Sequence, residues 1–203
     1  GVVCGLGGVL FNRCLLKSLD LYDRLRWPSW AIGAMAGAAV GLASGVYPDV
    51  AGTGGMLAER ALAGQIALQW LPVLLIARFF LTMSSYGTGA AGGIFAPLLV
   101  IGALGGLAFG RVAHMAFPTW AAQPEAFAVI GMGGLLTAIV RAPLTGIVLM
   151  IELTGKYDFM LPLLACCLVA YGVAEALRDT PVYEALRERA KRLGSSAPKP
   201  VPA

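Results

Sequence analysis

The chain has 203 residues, of which 58% are hydrophobic and only 13% are charged, and its net charge is +4. About a quarter of the residues of a soluble globular domain are charged, so this composition excludes an ordinary water-soluble domain and favours a protein embedded in a lipid bilayer. A net charge of +4 without interleaved aromatic residues does not indicate nucleic-acid binding.

Six stretches with little or no charge follow one another along the chain. Several are shorter than the roughly 20 residues that a straight membrane-spanning helix needs, and Gly or Pro interrupts them. We therefore expect a polytopic membrane protein with broken or half-spanning helices. The stretches are 1–11, 30–47, 61–83, 94–110, 126–140 and 159–174.

Small residues recur at helical spacing in two of these stretches. Helices within a bilayer associate through close packing, and small residues allow their backbones to approach. We expect both stripes to pack against neighbouring helices. They consist of Ala34, Gly37, Gly41 and Gly45, and of Gly102, Gly106 and Gly110.

Residues 87–97 read GTGAAGGIFAP, and the first six match the dinucleotide-binding pattern G-x-G-x-x-G. That fingerprint follows a strand and has an acidic residue about 20 positions further on. Here a long apolar helix candidate precedes it, and the twentieth residue beyond Gly92 is Val112. These features exclude a dinucleotide site.

The same stretch predicts an anion site made of backbone amides. A helix over 96–110, with Pro97 in its first turn, leaves N–H groups without intrahelical partners at its start. The helix dipole adds partial positive charge there. No Lys or Arg lies between Arg78 and Arg111, so the site is neutral and suits a small monovalent anion that must also leave. The alternative is a re-entrant loop that only packs.

The stretch 131–155 is apolar except for Arg141 and Glu152. Pro143 predicts a break, with one helix ending near Val140 and the next beginning at 142–143. We expect Arg141 to hold exposed carbonyls of the first helix. Glu152 is either a proton carrier or, as we favour, the structural partner of a Thr, an Arg or a backbone N–H.

The stretch 178–192 predicts a helix start, with Thr180 as the N-cap and Pro181 at the first helical position. Tyr183 then falls in the first turn, and its hydroxyl is either a neutral donor to the same anion or part of an interfacial aromatic belt.

Six of the fifteen Lys and Arg residues lie at or after Arg178. By the positive-inside rule, this end of the chain is cytoplasmic.

The residues that could carry catalysis or bind a metal are sparse. The spacing of the four cysteines matches no zinc or disulfide pattern, and His114 is the single histidine. The apolar segments contain no acid pair and no nucleophile–base pair. We therefore expect neither an enzyme, nor a metal site, nor a cofactor.

Three motifs, in this order and spacing, resemble the second half of the CLC family of chloride channels and chloride/proton antiporters. They are GGIFAP (92–97), GMGGLL…RAPLTGIVLMIELTG (131–155) and PVYEAL (181–186). The resemblance covers nearly all of the chain to about Lys191. It implies an all-α, inverted-repeat, polytopic membrane protein that works as a homodimer with one pore per subunit.

The resemblance also implies the residues that bind the ion. In that family the G-x-F-x-P motif supplies backbone amides to bound chloride, and a tyrosine at the start of the last membrane helix points its hydroxyl at the central ion. That tyrosine corresponds to Tyr183. The amides correspond to Ile94, Phe95 and Ala96, within a motif bounded by Gly93 and Pro97.

The same resemblance divides the chain into 1–193, the second half of the CLC transmembrane domain, and 194–203, a tail that is disordered by composition. We expect the first half, with its pore serine and its gating and proton-relay glutamates, to precede Gly1. Channel and antiporter therefore both stay open, and the missing half is an expected partner.

The other expected partners are chloride as the bound substrate, the lipid bilayer, and a second copy that contacts 1–11, 143–154 and 159–177. Because no regulatory nucleotide-binding pair of the kind seen in eukaryotic members of that family follows Tyr183, we expect a prokaryotic protein of the cell (inner) membrane. One alternative lies outside the family, namely a secondary transporter of another fold whose broken helix binds a carboxylate substrate.

Overall fold

The computed structural model describes residues 1–25, 29–50, 54–88, 93–119 and 123–195. Within these ranges the chain is all-helical, which confirms the predicted fold class, and 3₁₀ turns occur at Pro48–Val50 and Tyr157–Phe159. The α-helices in these ranges are α1 (Val2–Leu25), α2 (Ser29–Val46), α3 (Gly55–Leu62), α4 (Leu71–Gly87), α5 (Phe95–Ala116), α6 (Ala126–Val140), α7 (Pro143–Thr154), α8 (Met160–Ala176) and α9 (Val182–Ser195).

Helix lengths agree with the prediction of broken and half-spanning segments. In the described part of the chain, three helices are long and apolar enough to cross a membrane: Val2–Arg24, Phe95–Ala116 and Tyr157–Ala176. Shorter apolar helices accompany them at Ala31–Gly45, Leu71–Gly87, Ala126–Val140 and Pro143–Thr154. A polytopic protein with helices of unequal length follows from this pattern.

Helix α6 lies at the centre of the fold. It is apolar on all sides, and eleven of its fifteen residues are buried, as expected for a helix that is surrounded by protein. It packs against α1, α5, α7 and α8. Helix α6 is therefore enclosed by the neighbouring helices.

The crossing of α5 and α6 depends on the second glycine stripe. A Cβ atom at Gly102 would lie 2.7 Å from the Met132 Cα, and one at Gly106 would collide with the carbonyl of Phe127. The two backbones therefore approach more closely than any side chain would permit. This confirms the close packing predicted for the stripe.

The stripe predicted on α2 does not pack in this way. Helix α2 lies against α4 and the turn at Pro48–Val50, and it buries Ile32 and Ala36. The stripe lies outside this contact, so a Cβ atom at any of its three glycines would meet no described atom within 4 Å. Its residues are Ala34, Gly37, Gly41 and Gly45.

Helix α5 is longer than predicted at both ends. It begins at Phe95, one residue before the expected start, and continues beyond Gly110 to Ala116. Gly110 does not end the helix because it also belongs to the crossing, where a Cβ would lie 2.5 Å from the Pro124 carbonyl oxygen.

Helix α9 begins one residue later than predicted. The carbonyl of Pro181 accepts the first helical hydrogen bond, from the Ala185 N–H at 3.0 Å. Pro181, rather than Thr180, is thus the residue before the helix. The helix ends at Ser195, so it includes the first two residues of the predicted tail 194–203, and the rest of that tail lies outside the described residues.

Candidate functional site

The start of α5 presents free backbone amides. The first helical hydrogen bond runs from the Leu98 N–H to the Ile94 carbonyl at 3.1 Å. The N–H groups of Phe95 and Ala96 have no intrahelical acceptor, and no side chain of the described residues caps this helix. Pro97 has no N–H and occupies the first turn, as predicted. The amides at this end can donate to an anion.

Space is available beside these amides. A Cβ atom at Gly93 would meet nothing within 4 Å among the described residues. Ile94 is buried, whereas Phe95 is 37% exposed. The preceding residues of the motif, 89–92, lie outside the described part of the chain. Among the described residues, the motif therefore combines a buried side chain at Ile94 with an exposed one at Phe95 and unfilled space at Gly93.

Tyr183 lies in the first turn of α9 and is 54% exposed. Within the described ranges its hydroxyl makes no hydrogen bond to residues 93–97 at the start of α5. The structure thus places Tyr183 at an exposed position at the start of α9 and describes no contact that joins it to the motif.

Arg141 occupies the break between α6 and α7. It follows α6 with a positive φ of 64°, a backbone conformation that usually selects glycine. Its Nη1 donates to the Ala138 carbonyl of the helix before it, which is the contact the sequence predicts. Its Nη2 donates to the Asp179 carbonyl at 2.9 Å. Arg141 thereby joins the end of α6 to the segment before α9.

The sequence profile described as "Voltage gated chloride channel" matches residues 1–175. The chain belongs to this family, the CLC family. Since the family and the all-helical fold agree, a transporter of another fold is no longer supported.

Named relatives agree with this assignment. The H(+)/Cl(-) exchange transporter ClcA of Yersinia pestis bv. Antiqua (strain Angola) is 37% identical over 193 residues, which cover 93% of this chain and 40% of the relative. The protein of the same name from Cronobacter sakazakii (strain ATCC BAA-894) is 40% identical over 93% of this chain and 41% of its own length.

A solved structure is similar over the same region. It is described as a slow cyanobacterial Cl−/H+ antiporter, with a TM-score of 0.85 and 42% identity over 94% of this chain and 45% of that chain. The chain spans less than half the length of each of these relatives.

A buried cation lies beside α5 in this CLC chain. Arg78 on α4 is 4% exposed. A Cβ atom at Gly54 would lie 2.9 Å from its Nη2 and 2.9 Å from the Val100 Cγ2, so the guanidinium lies near the second turn of α5. The absence of Lys and Arg between Arg78 and Arg111 had indicated a neutral region, and the fold shows that Arg78 itself reaches it. Arginine remains charged when buried, and Arg78 has an interaction partner of its own.

The end of α4 is fixed by a contact that the sequence analysis missed. The ring of Tyr22 on α1 occupies the space beside Gly87, and its hydroxyl lies 3.2 Å from the Ser84 Oγ. A side chain at Gly87 would displace this ring. No spacing pattern connects positions 22 and 87, so only the fold reveals why the first glycine of the motif is needed.

Glu152 does not make the structural contact that we favoured from sequence. Helix α7 packs through Gly146, Ile147 and Met150, which lie on the side facing α6. Glu152 lies on the exposed side and pairs with no Thr, Arg or backbone N–H of the described residues. The structural interpretation of Glu152 is therefore not supported within this chain.

Proposed function

We propose that this chain supplies one half of the chloride pathway of a CLC transporter. In this proposal the amides of Ile94, Phe95 and Ala96 and the hydroxyl of Tyr183 bind chloride. The observation that carries the proposal is the start of α5, where the described residues provide no side-chain cap for the first amides and no atom within 4 Å of a Cβ at Gly93. Neutral amides bind an anion without holding it tightly, as conduction requires.

We further propose that transport is exchange with protons rather than passive conduction. Both named relatives are called H(+)/Cl(-) exchange transporters, and the similar solved structure is described as a Cl−/H+ antiporter. Identity to them is 37–42%. In this proposal, the remaining parts of the pathway lie in a further segment of the same protein.

Chloride binding provides the first test. In calorimetric titration of the purified full-length gene product with chloride, Tyr183→Phe should weaken binding about tenfold or more, because a hydrogen bond to a charged group contributes about 1.5–3 kcal/mol. Tyr157→Phe is the control, since Tyr157 is 74% exposed at the other end of α8. If the wild type and both variants bound chloride with equal affinity, Tyr183 would not belong to the site. If the wild type bound no chloride, the proposal would be refuted.

We also propose that the protein is a homodimer in a bacterial inner membrane, with its C-terminus in the cytoplasm. Helices α1, α7 and α8 expose large apolar side chains, including Leu6 (52%), Leu144 (74%) and Leu161 (77%). These are the helices on which the sequence resemblance predicts the contact between subunits.

A cytoplasmic C-terminal end is supported by the basic residues of α9. A C-terminal fluorescent fusion that stayed dark, as in the periplasm, would contradict this orientation.

Cross-linking tests the dimer with a matched pair of variants. Leu161 on α8 and Leu42 on α2 are both 77% exposed, but only α8 belongs to the proposed interface. With a thiol-reactive cross-linker at low protein density in liposomes, Leu161→Cys should give a covalent dimer above the wild-type background, and Leu42→Cys should not. Equal dimer yields for the two variants would contradict this interface.

A further inference from the structure

The segment between α8 and α9 makes a tight, well-defined turn. The Arg178 N–H donates to the Glu175 carbonyl at 2.9 Å, and the Asp179 N–H donates to the Ala174 carbonyl at 3.3 Å. Arg178 has a φ of 50°. This is the Schellman arrangement that ends a helix, with arginine at the position that glycine usually occupies. It directs the chain towards Tyr183 only a few residues later.

A buried amide on α1 holds this turn. Asn12 is 1% exposed, and its Nδ2 donates to the Asp179 Oδ2 at 2.8 Å and to the Thr180 carbonyl at 3.3 Å. The same nitrogen lies 3.5 Å from the Ile139 carbonyl at the end of α6. One side chain thus links α1, α6 and the turn.

A second contact holds the same turn from the α6–α7 break. The Arg141 Nη2 donates to the Asp179 main-chain carbonyl at 2.9 Å, while Asn12 holds the Asp179 carboxylate. The side chains of Asp179 and Arg141 are each only 7% exposed. We call Asn12, Arg141 and Asp179 the junction cluster. The Arg13 Nε also lies 3.8 Å from the Asp179 Oδ1, but the Arg13 side chain is 60% exposed. Ion pairs with such exposed partners contribute little to stability.

Tyr183 depends on this anchoring because its own side chain has little to fix it. It is 54% exposed, and its hydroxyl has no hydrogen-bond partner in the described ranges. The neighbouring Val182 is 1% exposed and belongs to the core. The middle of α9 is tied to α1 by ion pairs from Arg189 to Asp20 and Asp23. Between these anchors, the junction cluster fixes the backbone from which Tyr183 projects.

We propose that the junction cluster is a positioning device that sets chloride affinity by fixing the first turn of α9, and with it the Tyr183 hydroxyl. The inference rests on the proposed function, because it assigns Tyr183 to the chloride site. The positioning residues are Asn12, Asp179 and Arg141, and they act through Tyr183. Arg141 contributes through its Nη2.

The test is a double-mutant cycle in the full-length gene product, with chloride affinity measured by calorimetry. Asp179→Ala removes the carboxylate that accepts from Asn12 and should weaken binding about tenfold, as far as Tyr183→Phe does. In the Tyr183→Phe background, Asp179→Ala should change affinity by less than about twofold. Asp179→Asn keeps an acceptor oxygen and should retain wild-type affinity.

The control is Glu188→Gln, which removes a carboxylate further along α9 whose side chain is 56% exposed. It should leave affinity unchanged. A purely structural cluster would give a different result, because Asp179→Ala would then lower the melting temperature while folded protein bound chloride as tightly as the wild type. That result, or additive effects of Asp179→Ala and Tyr183→Phe, would overturn the inference.

A second measurement does not depend on chloride. Hydrogen exchange in chloride-free buffer should be faster at residues 182–186 in Asp179→Ala than in the wild type, and unchanged in Asp179→Asn. If the wild type binds no chloride but this difference appears, the proposed function fails while the anchoring of α9 stands. Unchanged exchange in Asp179→Ala would refute the positioning role itself.

Discussion

Gly106→Ala is expected to destabilise the folded protein by about 1–3 kcal/mol, the usual cost of forcing extra volume into a packed core. The new methyl group would collide with the main-chain carbonyl of Phe127. A flexible side chain could move aside, but this carbonyl belongs to the backbone at the start of α6. Helices α5 and α6 would therefore have to separate, and the start of α5, where we propose the anion site, would move with them.

Gly105→Ala is the matched control, because the same change on the adjacent residue would place a Cβ 3.9 Å from the Leu75 Cδ1. Its stability should be unchanged or slightly higher, since alanine favours a helix by about 0.5–1 kcal/mol over glycine. The measurement is the melting temperature of the detergent-purified gene product. Equal melting temperatures for the two variants would show that the α5–α6 crossing is not as close as described.

Ala96→Pro is expected to weaken chloride binding by roughly ten- to a hundredfold. The substitution removes one N–H donor at the start of α5, and a hydrogen bond to a charged group contributes about 1.5–3 kcal/mol. The helix itself should survive, because this amide has no intrahelical acceptor and proline is tolerated in the first turn. The backbone at position 96, just before Pro97, is already helical, so a proline there would not have to change the course of the chain.

Ala96→Gly serves as the control, since it changes the side chain but keeps the N–H. Calorimetric titration should give near-wild-type affinity for Ala96→Gly and greatly reduced affinity for Ala96→Pro, with both proteins folded. If the proline variant bound chloride as tightly as the glycine variant, the Ala96 amide would not contribute to the site.

Sequence alone predicted those features that depend on neighbouring residues. The break at Arg141 and Pro143 was foreseen because proline cannot continue α6 and an arginine in apolar surroundings needs carbonyls to satisfy it. The start of α5 was predicted to within one residue because Pro97 fits only the first turns of a helix. The closely packed stripe through Gly106 followed from helical spacing.

Features that depend on distant pairing were not predictable. Asn12 and Asp179 lie 167 residues apart, and nothing in their local sequence indicates that they meet. The glycines of α2 have the same spacing as those of α5, so periodicity cannot tell a packed stripe such as Gly106 from an unpacked one such as Gly41. For Glu152 the apolar surroundings suggested a buried partner, whereas its place on the helix faces away from α6.

The most direct test of the account is chloride and proton flux through the full-length gene product in liposomes. An outward chloride gradient should drive chloride efflux together with proton uptake, and Ala96→Pro should slow both fluxes in parallel. Chloride efflux without proton movement would contradict exchange and favour a channel. No chloride flux from folded wild-type protein would contradict the central claim that the start of α5 forms part of a chloride pathway.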